Sequence, residues 1–236
     1  AAATYADPFQ GFQKEYVMTT YALGTTITRE MVDDEQYSYI NKLPKLLARS
    51  QRHTEETIAF NHLNRATNSS FTGADGLTLS NTAHLRVGGG TFSNQLATPS
   101  DLTQTSLETM ITMAQDLTDD QALSIRVMQK CLVVATANNW QARKLLESDF
   151  IVGSANNDKN VVKGLFKDLV VSPWLTDSDA WFIVTDVDNG LVWYNRRPNE
   201  IVRDNEFDTQ NLKILSTARY ASGWTDPRGI LCTAGA

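Results

Sequence analysis

Cationic excess, cysteine, histidine and long apolar runs are all scarce in this chain. Its 236 residues carry 21 Lys and Arg against 27 Asp and Glu, a formal net charge of -6. That balance argues against nucleic-acid binding driven by bulk positive charge. It still suits a surface close to packaged nucleic acid, where mild like-sign charge discourages sticking. The two cysteines, Cys131 and Cys232, lack metal-ligand spacing and fit a reducing compartment better than a disulfide framework. No apolar run approaches the roughly 20 residues of a membrane span, and no signal peptide is visible. The chain opens Ala-Ala-Ala-Thr without Met, which is read as a processed start or an omitted one. The length allows one large domain or two small ones, with ample core.

What is present is organised around residues 34–66. This stretch has no Gly and few β-branched residues, and Leu, Ala, Arg, Gln and Glu are frequent, so it predicts a helix. At 1.5 Å per residue it would run roughly 50 Å. Pro44 is either absorbed at the first turn of the main part, after a looser turn, or kinks the helix. The apolar seam is thin: Ile40, Leu43 and Leu47 begin it, then Ser50 and Thr54 interrupt it before Ile58. Lys42, Lys45, Arg49 and Arg52 form a basic face. So narrow a seam does not belong to a core helix. It belongs to one that lies across a surface or meets copies of itself, as in an assembly subunit.

Before it, residues 16–27 (YVMTTYALGTTI) predict a strand or a hairpin around Gly24. This is either an arm that pairs with a neighbouring copy or an edge strand of the local sheet. Residues 68–100 are dense in Gly, Ser, Thr and Asn. Turn signals fall at Gly73, Asp75-Gly76 and Gly88-Gly89-Gly90, and the segment reads as weakly structured and supported from outside. Residues 103–117 predict a core-facing helix with a Leu107, Met110, Ile111, Ala114, Leu117 stripe. Thr105 with Glu108 forms its capping box, or Thr103 caps it.

A buried strand covers 132–135. A short helix over 139–147, capped by Asn138 or Thr136, is amphipathic through Trp140, Leu145 and Leu146. A polar loop occupies 154–160. Strands are expected at 165–171, 180–185, 191–194, 212–221 and 230–232, with Asn189-Gly190 predicting a hairpin. Helices come first, then strands with one interposed helix, so the class is α+β.

Chemistry is sparse. His53 and His62 lie nine apart on the long helix, on opposite faces, and read as solvated. His84 permits a paper hydrolase with Asp75 and a loop serine, but no Gly-x-Ser-x-Gly elbow supports it. The glycines lack the Lys-Ser/Thr of a phosphate loop; Thr91-Phe92-Ser93-Asn94 follows them instead. Asp186-x-Asp188-Asn189-Gly190 faintly resembles a calcium loop, but Arg196 stands where a Glu ligand belongs. Arg196, Arg197 and Arg203 beside Glu200, Asp204 and Glu206 read as a solvated or intersubunit charge cluster. Trp174, Trp181, Trp193, Tyr194 and Trp224 read as core or interface anchors. The sequence therefore names no catalytic residue, metal ligand or cofactor site.

The order of several stretches is more specific than any one of them. These are Tyr21 to Asp34 (YALGTTITREMVDD), Leu46-Leu47-Ala48-Arg49-Ser50 with Thr54-Glu55-Glu56, and Ala74-Asp75-Gly76-Leu77-Thr78-Leu79 with Thr82-Ala83-His84. Gly88-Gly89-Gly90 to Asn94, Leu132-Val133-Val134, and Leu169-Val170-Val171 with Pro173-Trp174-Leu175 follow. In this order the chain resembles the major capsid (major head) proteins of tailed bacteriophages, near the Mu-like major head subunit type, over about residues 14–232.

The resemblance implies an N-terminal remnant and extended loop over 1–33, and a spine helix with peripheral domain over 34–119. It implies an axial domain over 120–205 and a return strand over 206–236. It also implies an icosahedral shell of hexamers and pentamers around double-stranded DNA, assembled in the bacterial cytoplasm. Portal, scaffold or head protease and decoration proteins would be partners, with no membrane. An encapsulin-like compartment shell and a small hydrolase using His84 are the alternatives.

Overall fold

The computed structural model describes residues 10–34, 39–151 and 158–235. Residues 35–38 of the expected long helix and 154–157 of the expected polar loop lie outside that range. In chain order the elements are β1 (Thr19–Ile27), α1 (Arg29–Asp33), α2 (Leu43–Asn64), β2 (His84–Leu85), β3 (Thr91–Phe92), α3 (Gln104–Gln115) and β4 (Gln129–Ala135). Then come α4 (Asn139–Glu147), β5 (Asp168–Ser172), β6 (Trp181–Thr185), β7 (Leu191–Asn205), β8 (Leu212–Trp224) and β9 (Ile230–Thr233). The mixture is α+β, and it divides into two compact units.

The first unit comprises Ala1–Lys14, His62–Leu191 and Trp224–Ala236. Its sheet has the order β5-β4-β6-β9, with β4 parallel to β5 and the other pairs antiparallel. Leu132 to Ala135 of β4 are all buried, as a central strand covered on both faces requires. Leu132, Val134, Trp181 and Ile183 share one core with Leu107, Met110, Ile111 and Ala114 of α3. The 3.6-residue stripe read from the sequence is thus the face α3 buries. Its start is fixed by Thr103: the Ser106 amide donates to the Thr103 hydroxyl at 3.2 Å, and the Thr103 amide donates to the Ser106 hydroxyl at 3.0 Å. Such a cap contributes about 1 kcal/mol.

Three expectations fail in this unit. Trp140 is 72% exposed, and α4 instead buries Ala142, with Leu145 and Leu146 partly covered. Asn138 makes no side-chain cap; its amide donates to the Ser178 carbonyl at 3.0 Å. Asn189-Gly190 turns the chain but forms no hairpin, because β6 already pairs with β4 and β9 on its two edges. The Asn189 carbonyl accepts the amides of Thr225 and Asp226 at 3.1 and 3.0 Å. Gly190 lies so close to Gly229 that an added Cβ would meet the Gly229 Cα at 2.8 Å. The pair of glycines is a backbone crossing point.

The second unit comprises Glu15–Asn61 and Val192–Gly223. Its sheet has the order β1-β8-β7, with β1 antiparallel to β8 from Thr19↔Tyr220 to Ile27↔Leu212. Of the two readings of residues 16–27, the local edge strand is the observed one, and there is no hairpin at Gly24. β8 alternates cleanly, burying Ile214, Ser216, Ala218 and Tyr220. Ile27, Leu47 and Ile214 form a small core, with Ile40, Leu43 and Leu212 packed against it.

The continuous helix α2 has 22 residues, about 33 Å, shorter than expected. Pro44 is its second residue and follows a 3-10 turn at Ile40–Lys42, so the proline is absorbed at the first turn. After Leu47 the buried position is Gln51, not Ser50. β7 runs to Asn205, far beyond the expected 194, through the polar run NRRPNEIVRDN. Pairing with β8 overrides weak strand propensity there, and Pro198 is tolerated because β7 is an edge strand.

Candidate functional site

His84 is the residue for which the sequence allows chemistry, and it is fully buried, at 0% exposure. Its Nδ1 lies 2.6 Å from the Asp75 carboxylate and its Nε2 3.3 Å from the Leu79 carbonyl. Both ring nitrogens are thus placed against protein oxygens. It also stacks on Phe92, with centroids 5.3 Å apart. Burial alone would raise the Asp75 pKa. The His84 hydrogen bond, the Leu77 amide and the His84 charge outweigh burial and hold it below the ordinary carboxylate range. A base with no access to substrate and no spare nitrogen performs no hydrolysis. His84 is a structural pin.

Around it, residues 66–100 are well tied, not weakly structured. Asn94, also fully buried, donates its amide to the carbonyls of Leu79 (2.6 Å), Pro227 (3.1 Å) and Ile230 (3.0 Å), and accepts from the Asn81 amide at 3.0 Å. Ser80 donates its hydroxyl to Gln95 at 2.6 Å and its amide to the Ala66 carbonyl at 2.8 Å. Arg228 lies over Phe92 at 4.2 Å, donates to the Thr118 carbonyl at 2.8 Å, and pairs with Asp120 at 2.7 Å and Asp226 at 3.3 Å. Backbone carbonyls far apart in sequence are gathered by these side chains. Composition reports polar content but not its partners, so the sequence gives Asn94 and Arg228 no structural role.

The remaining sequence candidates do not assemble. Among the described residues no three His, Cys, Asp or Glu side chains are placed to hold a metal. Asp186 instead accepts the Met128 amide at 2.8 Å. Cys131 and Cys232 are free thiols; burial raises both, Cys232 to about 12. On α2, His53 is exposed, whereas His62 is half-buried and held below its ordinary value by burial and by Arg65, which corrects the solvated reading. No helix among the described residues is long and apolar enough to cross a membrane.

What the structure presents is surface. Tyr21, Tyr220 and Trp193 stack across the three strands of the second unit's sheet, at 4.6 Å and 4.5 Å between centroids. Beyond that ladder, Trp193, Tyr194, Ile201, Val202, Phe207 and Leu215 remain exposed. Arg196, Arg197, Glu200, Arg203 and Asp204 are exposed among them on β7. Trp181 and Trp224 are buried as core anchors. Interleaved apolar and charged side chains along the exposed strand β7 make an interaction surface, not a reaction centre.

Known proteins point the same way. A family model described as phage capsid protein matches residues 12–233. A comparison with curated proteins finds no match. Among solved structures, the capsid of the cyanophage P-SCSP1u is similar with a TM-score of 0.58 at 11% identity, covering 100% of this chain and 80% of that one. Mycobacterium phage Che8 is similar with a TM-score of 0.54 at 11% identity, covering 92% and 72%. The capsid of bacteriophage JBD30, decorated with minor capsid protein trimers, is similar with a TM-score of 0.54 at 12% identity, covering 68% and 75%. At these identities the likeness is one of fold. The Mu-like type is not singled out.

Proposed function

From the premise that this chain belongs to the phage capsid protein family, we infer how it works as the structural subunit of a virion shell. It is a capsid protein of the major head type, and its partners in the shell are copies of itself. The observation that carries the reading is the β1-β8-β7 sheet, whose two outer strands pair with no further strand among the described residues and whose surface holds large apolar side chains in water. A lone soluble subunit gains nothing from such a sheet. A shell subunit buries it in several heterologous contacts.

In this reading the copies gather as hexamers and pentamers of an icosahedral head around double-stranded DNA, assembled in the bacterial cytoplasm. The acidic balance keeps the DNA from adhering to the wall. The unit with α2 and the β1-β8-β7 sheet is assigned the peripheral role. The unit with the β5-β4-β6-β9 sheet is assigned the axial role; α3, expected in the peripheral domain over 34–119, is grouped with it instead because it shares that sheet's core. Residues 10–33 are the extended loop. Portal, scaffold or head protease and decoration proteins are proposed as assembly partners. Decoration is supported by the JBD30 shell, which carries minor capsid protein trimers.

The test is the native mass of the purified chain by light scattering, with negative-stain images. Closed megadalton particles are expected, and their DNA content separates a phage head from a cargo compartment. A chain that stays monomeric at high concentration overturns the reading.

A further inference from the structure

Phe207 is 95% exposed, the highest value among the exposed large hydrophobic residues described. It does not sit on a loose loop. Between β7 and β8 the Gln210 amide donates to the Glu206 carbonyl at 2.8 Å, and the Glu206 amide to the Asn211 carbonyl at 3.0 Å. The Thr209 hydroxyl donates to the Glu206 carboxylate at 2.9 Å, and Lys213 pairs with that carboxylate at 2.8 Å. Gln210 holds φ +56 to close the turn. An aromatic ring is therefore presented to water by a cross-braced turn that also carries Asp208, with Asp204 near the end of β7 just before it. The ring makes almost no contact with its own chain.

A matching patch lies on α2. Leu46 is 50% exposed. On a helical surface, residues three and four apart are neighbours, which places Lys42 and Arg49 beside it, with Lys45 adjoining. All three cations are exposed, and none has an ion pair among the described residues, whereas Arg52 pairs with both Glu55 and Glu56. One surface is an apolar ring flanked by acids that have no ion pair among the described residues. The other is an apolar side chain flanked by unpaired bases.

We propose that the Phe207 turn of one copy docks on the Leu46 patch of α2 in a neighbouring copy, with Asp204 and Asp208 against Lys45 and Arg49. The proposal rests on the shell reading above. The two patches differ, so the contact is heterologous: each copy gives a turn and receives one, which propagates a ring or shell. Opposite charges around the apolar centre set register and speed encounter, and the contact weakens with salt.

The test is a charge exchange within the full chain. Asp204→Lys with Asp208→Lys is expected to raise the critical assembly concentration by about tenfold or more, a change equal to roughly 1.4 kcal/mol. Lys45→Glu with Arg49→Glu is expected to do the same, and all four together to restore assembly. Circular dichroism checks that these surface variants fold. As a second measurement, Asp208→Cys with Lys45→Cys is oxidised and run without reductant, the single-cysteine variants serving as controls. A ladder of multimers specific to the double variant supports the docking. Wild-type particles with no ladder and no effect of either charge reversal overturn the contact and leave the shell reading intact. A wild-type chain that never forms particles and gives no ladder overturns both.

Discussion

The imidazole Nδ1 of His84 lies 2.6 Å from the Asp75 carboxylate, and both side chains are withdrawn from water. The pair anchors the start of a long irregular segment to the strand that carries His84. Removing either partner strands the other in a dry site, which costs about 3–5 kcal/mol. His84→Ala and Asp75→Asn should each lower the unfolding free energy, read from denaturant titration, by that order. Unchanged stability in both variants would show that the segment is held by other bonds.

The same pair makes stability depend on pH. The folded Asp75 pKa lies below that of the unfolded chain, near 3.9. Asp75 thus contributes stability that is fully present above the unfolded value and is lost as pH falls through the folded one. Denaturation midpoints measured from pH 6 downward should fall below about pH 4, and Asp75→Asn should flatten that slope. An identical acid limb in the variant would assign the dependence to other carboxylates.

Asn94 has two amide hydrogens facing three carbonyls, those of Leu79, Pro227 and Ile230. Asn94→Ala leaves buried acceptors unsatisfied, at about 1–3 kcal/mol for each one stranded. Asn94→Asp sets a carboxylate against the same oxygens and should be worse. Hydrogen exchange is the readout, because amides on both the 66–100 segment and β9 should lose protection together. Loss on one side only would contradict the bridging role.

The buried face of α3 invites a paired comparison. Leu107 has no exposed surface, whereas Thr109 on the same helix is exposed. Leu107→Ala should cost about 3–5 kcal/mol through lost transfer energy and cavity. Thr109→Ala should stay within about 0.5 kcal/mol. Equal thermal shifts in the two would mean that α3 is not packed on this core.

Thiol labelling probes the four-stranded sheet. Burial holds the Cys232 thiol at about 12 and raises Cys131. Buried Cys232 should not react with a disulfide reagent at pH 8 in the folded chain, half-buried Cys131 should react more slowly than it does unfolded, and both should react in denaturant. Rapid labelling of folded Cys232 would show β9 opening.

Local rules carried well through elements whose pattern and partners agree. The α3 stripe, the Leu132 to Ala135 strand and the Pro44 start of α2 depend on period, burial and backbone geometry within a few residues, all written in the chain. The α+β class and the capsid resemblance followed from the order of such pieces. What the chain did not disclose depends on partners distant in sequence. Asn189-Gly190 has hairpin chemistry, yet both edges of β6 are taken, and edge occupancy is a property of the whole sheet. The polar run after Tyr194 is a strand because β8 lies beside it, and α4 turns Ala142 to the core while Trp140 faces water. His84, the base that the hydrolase alternative needs, is closed in by Asp75, Leu79 and Phe92. A titratable group's role is set by access and desolvation, and those arise from packing.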